Sequence, residues 1–176
     1  MVVNKIRFWV LAHKTLLVWG VICVSLIILV AFGLLLLHPG SRIPKGIKQQ
    51  VSFTILYPID RAISLDNWKY LSSQHGLSFI AHDDNFSVTF TEQAVPLAFQ
   101  NDMAAYNRFI GGLRPSANFK TSLGTVSLVT FVTAHDFQVA GQAGILNADG
   151  TLLLAHPDRT LSDDEWRSVF DALGND

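Results

Sequence analysis

Three hydrophobic rhythms follow one another along the chain. From Thr15 to Ser41 there is no Asp, Glu, Lys or Arg, and the run Thr15–Leu37 is almost wholly Leu, Val, Ile, Ala and Phe. As a helix this run would span about 34 Å, against about 30 Å for the hydrocarbon core of a bilayer. A core helix of a small domain is shorter and amphipathic, so the pattern predicts a transmembrane helix over 15–37.

The second rhythm is alternation. Val51, Phe53, Ile55 and Tyr57 alternate with smaller or polar residues, which predicts a half-buried strand that Pro58 ends. Leu77–Ala81 and Phe86–Thr91 read as a hairpin around Asp83-Asp84-Asn85. Thr125–Thr133 is apolar at both parities and is expected to be a central strand. Phe137–Leu146 follows, with Gly141 and Gly144 marking close packing or a bulge. Asn147-Ala-Asp-Gly150 turns the chain into Thr151–Ala155. Residues 59–76 show no period and read as irregular, with one helical turn near Asp66–Ser72.

The third rhythm has helical spacing. Met103, Tyr106, Phe109, Ile110 and Leu113 share one face of a helix over Asp102–Ile110, capped by Asn101 or Asp102 and stopped by Gly111-Gly112. Near the end, Ser162-x-x-Glu165 is a capping box ahead of Trp166, Val169, Phe170 and Leu173, with Gly174 closing the helix. The expected fold is α+β: an N-terminal transmembrane helix, then an antiparallel sheet of about five or six strands packed by two helices.

This reading divides the chain into a short basic tail (1–14), the span (15–37), a linker (38–49) and a domain (50–176). Two Pro and two Gly in 38–49 argue against a continuing helix and suggest a spacer that lifts the domain off the bilayer. No Ala-x-Ala site follows the apolar run, and Cys23 lacks the small preceding residue of a lipoprotein site, so the segment is read as a retained anchor. Lys5, Arg7 and Lys14 on one flank balance Arg42, Lys45 and Lys48 on the other. The acid-free basic tail favours a cytoplasmic N-terminus and an extracytoplasmic domain.

Charge narrows the function. All 14 acidic residues lie beyond residue 40 together with ten Lys or Arg, a formal charge of −4 for that part. Nucleic-acid binders carry a basic face, so that class is excluded. The one cysteine lies within the apolar run, which leaves the domain no thiol chemistry.

Catalytic motifs are missing. The chain has no Gly-x-Ser-x-Gly elbow, P-loop, dinucleotide fingerprint or His-Glu-x-x-His, and no cofactor is implied. The histidines carry what chemistry there is. His82 precedes Asp83-Asp84, His135 precedes Asp136, and His156 is followed by Asp158. Gathered in space, His82, Asp84, His135 and Asp136 could hold Zn²⁺ or another divalent ion. Strand ends also collect such residues simply because they turn there. Trp68 and Tyr70 fit either a binding face or a core.

Val51-Ser-Phe-Thr-Ile-Leu-Tyr-Pro58 resembles the F-x-x-x-Y-P opening strand of several small extracytoplasmic domains. With Phe86–Thr91 and Glu92-Gln93, Pro96, Gly124 and the closing Asp164-Glu-Trp166 helix, the order is similar to single-pass membrane proteins of Saccharibacteria-type candidate-phylum bacteria. More distantly it resembles the domain after the membrane helix of some anti-sigma factors and the Mog1/PsbP-like α+β fold. These resemblances imply an extracytoplasmic α+β domain and supply no catalytic residues.

The expected function is therefore non-enzymatic binding or sensing at the cell envelope. The lipid bilayer is met through 15–37, and another envelope protein or a second copy is the partner. The alternative is a membrane-anchored, metal-dependent hydrolase using His82, His135 and the nearby aspartates.

Overall fold

The computed structural model describes residues 42–132 and 139–175 of the chain. The expected span and His135 and Asp136 lie outside them. Among the described residues no helix is long and apolar enough to cross a membrane.

The fold is α+β, built on a seven-stranded antiparallel sheet with a separate two-stranded pair. In chain order the strands are β1 (Tyr57–Pro58), β2 (Ser64–Leu71), β3 (Gly76–His82), β4 (Ser87–Ala94), β5 (Ala117–Lys120), β6 (Thr125–Val132), β7 (Val139–Ala148), β8 (Thr151–Pro157) and β9 (Leu173–Gly174). The helices are α1 (Lys45–Lys48), α2 (Leu97–Gln100), α3 (Met103–Gly112) and α4 (Asp163–Asp171). Two meanders, β2-β3-β4 and β5-β6-β7-β8, join where β4 pairs with β8, giving the order β2-β3-β4-β8-β7-β6-β5. β8 is thus the middle strand. β6, expected there, lies next to the edge, and its apolar residues at both parities reflect cover on both faces.

Helix α4 covers the first face. Ser162 and Glu165 form the reciprocal capping box, and Trp166, Val169 and Phe170 are buried. They meet Leu77, Phe79, Phe90, Val126, Leu146 and Leu153 in one cluster. Gly144 is required there, because a Cβ at that position would lie 2.5 Å from the Phe170 ring. Leu173–Gly174, expected at the helix terminus, instead pairs with Tyr57–Pro58.

The segment before β1 completes this face and differs from expectation. Val51–Leu56 is not a strand. Ile55, Leu56 and Tyr57 are buried in succession, so the alternation does not mark a half-buried strand. Side chains of the sheet satisfy its backbone instead. The Leu56 N–H donates to both Glu92 carboxylate oxygens at 3.1 and 3.3 Å, and the Thr151 hydroxyl donates to the Thr54 carbonyl. Upstream, Ile43 sits in the core, and Arg42 donates to the carbonyls of Pro58, Asp60 and Ile63. Residues 42–49, expected to be spacer, belong to the compact unit that begins at Arg42.

β2 was hidden from the sequence because it is a poorly buried edge strand, and its alternation breaks at a bulge between Asp66 and Lys69, where Asn67 has φ 53°. β5 was missed because it is only four residues long. These two strands account for a sheet of seven where about five or six were expected.

The second face carries α2 and α3. Asp102 caps α3 through Ala105 N at 2.8 Å, as expected. Tyr106 and Ile110 pack on Val129, Ala143 and Ile145, with Phe99 and Leu152 beside them. This cluster lies over β6, β7 and β8 only.

Candidate functional site

Among the described residues no helix packs on the remainder of the second face, and strand register says what it presents. His82 stands opposite Ser87, Ile80 opposite Thr89, and Ser78 opposite Thr91. β8 adds His156 beside Thr89 and Leu154 beside Thr91, while β2 adds Asp66 opposite Ile80 and Lys69 opposite Ser78. Residues paired across neighbouring strands point the same way, so these side chains share one surface.

At the end near the β3–β4 turn the surface is polar and connected. Asp66 Oδ2 lies 3.2 Å from His82 Nε2, and His82 Nδ1 lies 2.8 Å from Ser87 Oγ. A carboxylate only accepts, so Nε2 carries the ring proton and Nδ1 accepts from the Ser87 hydroxyl. The Ser87 backbone is fixed by Asp158, whose Oδ2 accepts from Ser87 N at 3.1 Å and whose N–H donates to Ser87 O at 2.9 Å. The side chains of His82 and Asp66 are 39% and 53% exposed, so solutes can reach them. Arg159 braces this corner: it lies over the Phe86 ring and bonds Glu165 at 2.6 Å. That guanidinium, with Ser162, holds the Glu165 carboxyl down to about 2.

At the other end the surface becomes a shallow apolar groove. Leu152, Leu154, Thr91 and Gln93 form its floor, with Phe109 of α3 at its side. The expected apolar stripe of α3 is only half used. Tyr106 and Ile110 are buried, but Met103 is 61% exposed, Phe109 41% and Leu113 39%, and Leu154 across the groove is 40% exposed.

His82 is the predicted site residue the structure joins to others, but its partners are Asp66 and Ser87. Asp84 is exposed in the β3–β4 turn. Among the described residues no three His, Cys, Asp or Glu side chains are grouped to hold a metal. Trp68 stacks on Phe79 at 4.4 Å, so it fills the first face.

The burial of Glu92 was not anticipated. The residue is fully buried, and burial pushes its carboxyl well above the usual range, opposed by the Leu56 N–H bond. Parity carried the signal: position 92 continues the inward series of Val88 and Phe90.

No protein-family model, no curated protein and no solved structure matches the chain.

Proposed function

We propose that the chain is a binding module at the cell envelope, anchored by 15–37 with its globular unit on the extracytoplasmic side. The groove between α3 and the β4–β8 floor receives a segment of another envelope protein. One observation carries this reading: Phe109 of the α3 apolar stripe stands partly in solvent on the same groove as Leu154. Contiguous exposed apolar surface of this kind marks interaction sites in folded proteins.

The sheet edges favour docking on the face over strand addition. β2 is bulged at Asn67 and carries Asp66 and Lys69, and β5 is short and ends in Lys120. Both are devices that discourage edge pairing. The anchor rests on the uncharged run 15–37, and the orientation on the basic tail before it.

The test places a photo-crosslinking residue at Leu154 in the full-length chain within its native membrane, with the same residue at Lys120 as control. The expected result is a discrete adduct from Leu154 alone, lost on Phe109→Asp. Equal crosslinking from both positions would overturn the groove. An adduct at twice the chain's mass would replace the foreign partner by a second copy.

A further inference from the structure

We infer that Asp66, His82 and Ser87 form an acyl-transfer site on the open sheet face, with Ser87 as nucleophile toward small neutral esters. This goes beyond the binding role and uses the opposite end of the same surface.

The ring tautomer follows from Asp66, which can only accept and so holds the proton on Nε2. Nδ1 then presents its lone pair to the Ser87 hydroxyl at 2.8 Å. Carboxylate, imidazole and hydroxyl stand in the functional order of a Ser-His-Asp triad, with the two ring nitrogens exchanged. Asp158 anchors the Ser87 backbone from both sides, so the nucleophile sits on a fixed strand end.

The surroundings select the substrate. Asp158 is bonded to the Ser87 backbone, Asp66 stands on the far side of the His82 ring, and Asp83 and Asp84 lie in the adjoining turn, a negative surround that disfavours an anionic acyl group. Arg159 offers no counter-charge, because Glu165 occupies it. Half-buried Ile80, two residues before His82 on the same face, gives a short apolar acyl chain a place to lie.

Ser87 Oγ adds to the ester carbonyl carbon while its proton passes to His82 Nδ1. The ester C–O bond breaks, and the leaving alkoxide departs with that proton. Water then attacks the acyl-Ser87 carbonyl, giving its proton to Nδ1. The acid is released as Ser87 Oγ recovers a proton from the ring. Asp66 keeps the imidazolium oriented throughout.

The experiment treats the full-length chain in mild detergent with a fluorophosphonate and locates the adduct by peptide mass spectrometry. Labelling forms the Oγ–P bond, breaks P–F, and sends the hydroxyl proton to Nδ1. The expected result is one adduct, on Ser87, absent in Ser87→Ala and unchanged in Thr89→Ala. In His82→Gln labelling slows about 100-fold, and Asp66→Asn is also slower. No adduct on Ser87 of the wild-type chain would overturn the proposal, as would equal rates in wild type and in a His82→Gln variant with an unchanged circular dichroism spectrum.

Discussion

The two faces of the sheet are covered differently, although each has one main amphipathic helix. On the α4 face the buried polar side chains Glu92 and Thr151 both have hydrogen-bond partners, and the backbone of 51–57 is drawn into the same core. On the α3 face the cover stops at β8, apolar side chains remain in solvent, and the Tyr106 hydroxyl is buried with no partner among the described residues. Complete burial favours one rigid arrangement, whereas partial burial leaves surface for a ligand. Stability is therefore expected to reside on the first face and function on the second.

Cutting into the α4 face should have the largest effect. Phe170→Ala removes a fully buried ring and is expected to cost about 3–5 kcal/mol, measured by urea unfolding of the full-length protein in detergent. A loss below about 1 kcal/mol would mean that α4 is not the keystone of that core.

Glu92 comes next. Glu92→Ala strands the Leu56 N–H, which should cost about 1–3 kcal/mol. Glu92→Gln keeps an acceptor and gives the pH test. Burial raises the folded-state pKa above the unfolded value, so the folded state binds the proton more tightly. The stabilisation is full below the unfolded pKa and is lost as pH rises through the folded one. The wild-type chain should lose stability over that rise, and Glu92→Gln should not. A pH-independent difference between the two would place the ionisation elsewhere.

On the α3 face the sign reverses. Tyr106→Phe deletes a buried hydroxyl that has no partner among the described residues and should raise stability by about 1 kcal/mol. A loss of similar size would show that the hydroxyl has a partner such as a bound water.

The smallest stability effect is expected from Phe109→Asp, within about 0.5 kcal/mol, because the ring is already partly in water. The same change should abolish crosslinking at Leu154. If it unfolded the protein instead, the groove would be core and the contrast between the faces would fail.

Helix α4 was legible almost residue by residue, because a capping box and an apolar stripe are local signals and the helix buries Trp166, Val169 and Phe170 of that stripe. The alternation of Phe86, Val88 and Phe90 likewise marked β4, and Asp149-Gly150, with φ 50° and 79°, turned as the sequence required. The stripe of α3 was equally visible, but spacing cannot say how far a neighbouring sheet will cover it. Asp66 was obscured by the β2 bulge, and its link to His82 and Ser87 joins residues on three strands. Hydrogen-bond geometry across strands has no local pattern to read.

Period and capping thus determined the hairpins and the closing helix, since each depends on neighbours within a few positions. Tertiary structure alone decided that 51–56 would be held by side chains instead of a strand, that Glu92 would be sealed beneath that segment, and that α3 would cover half a sheet. Those outcomes depend on which distant surfaces meet, and on which backbone groups remain without partners until they do.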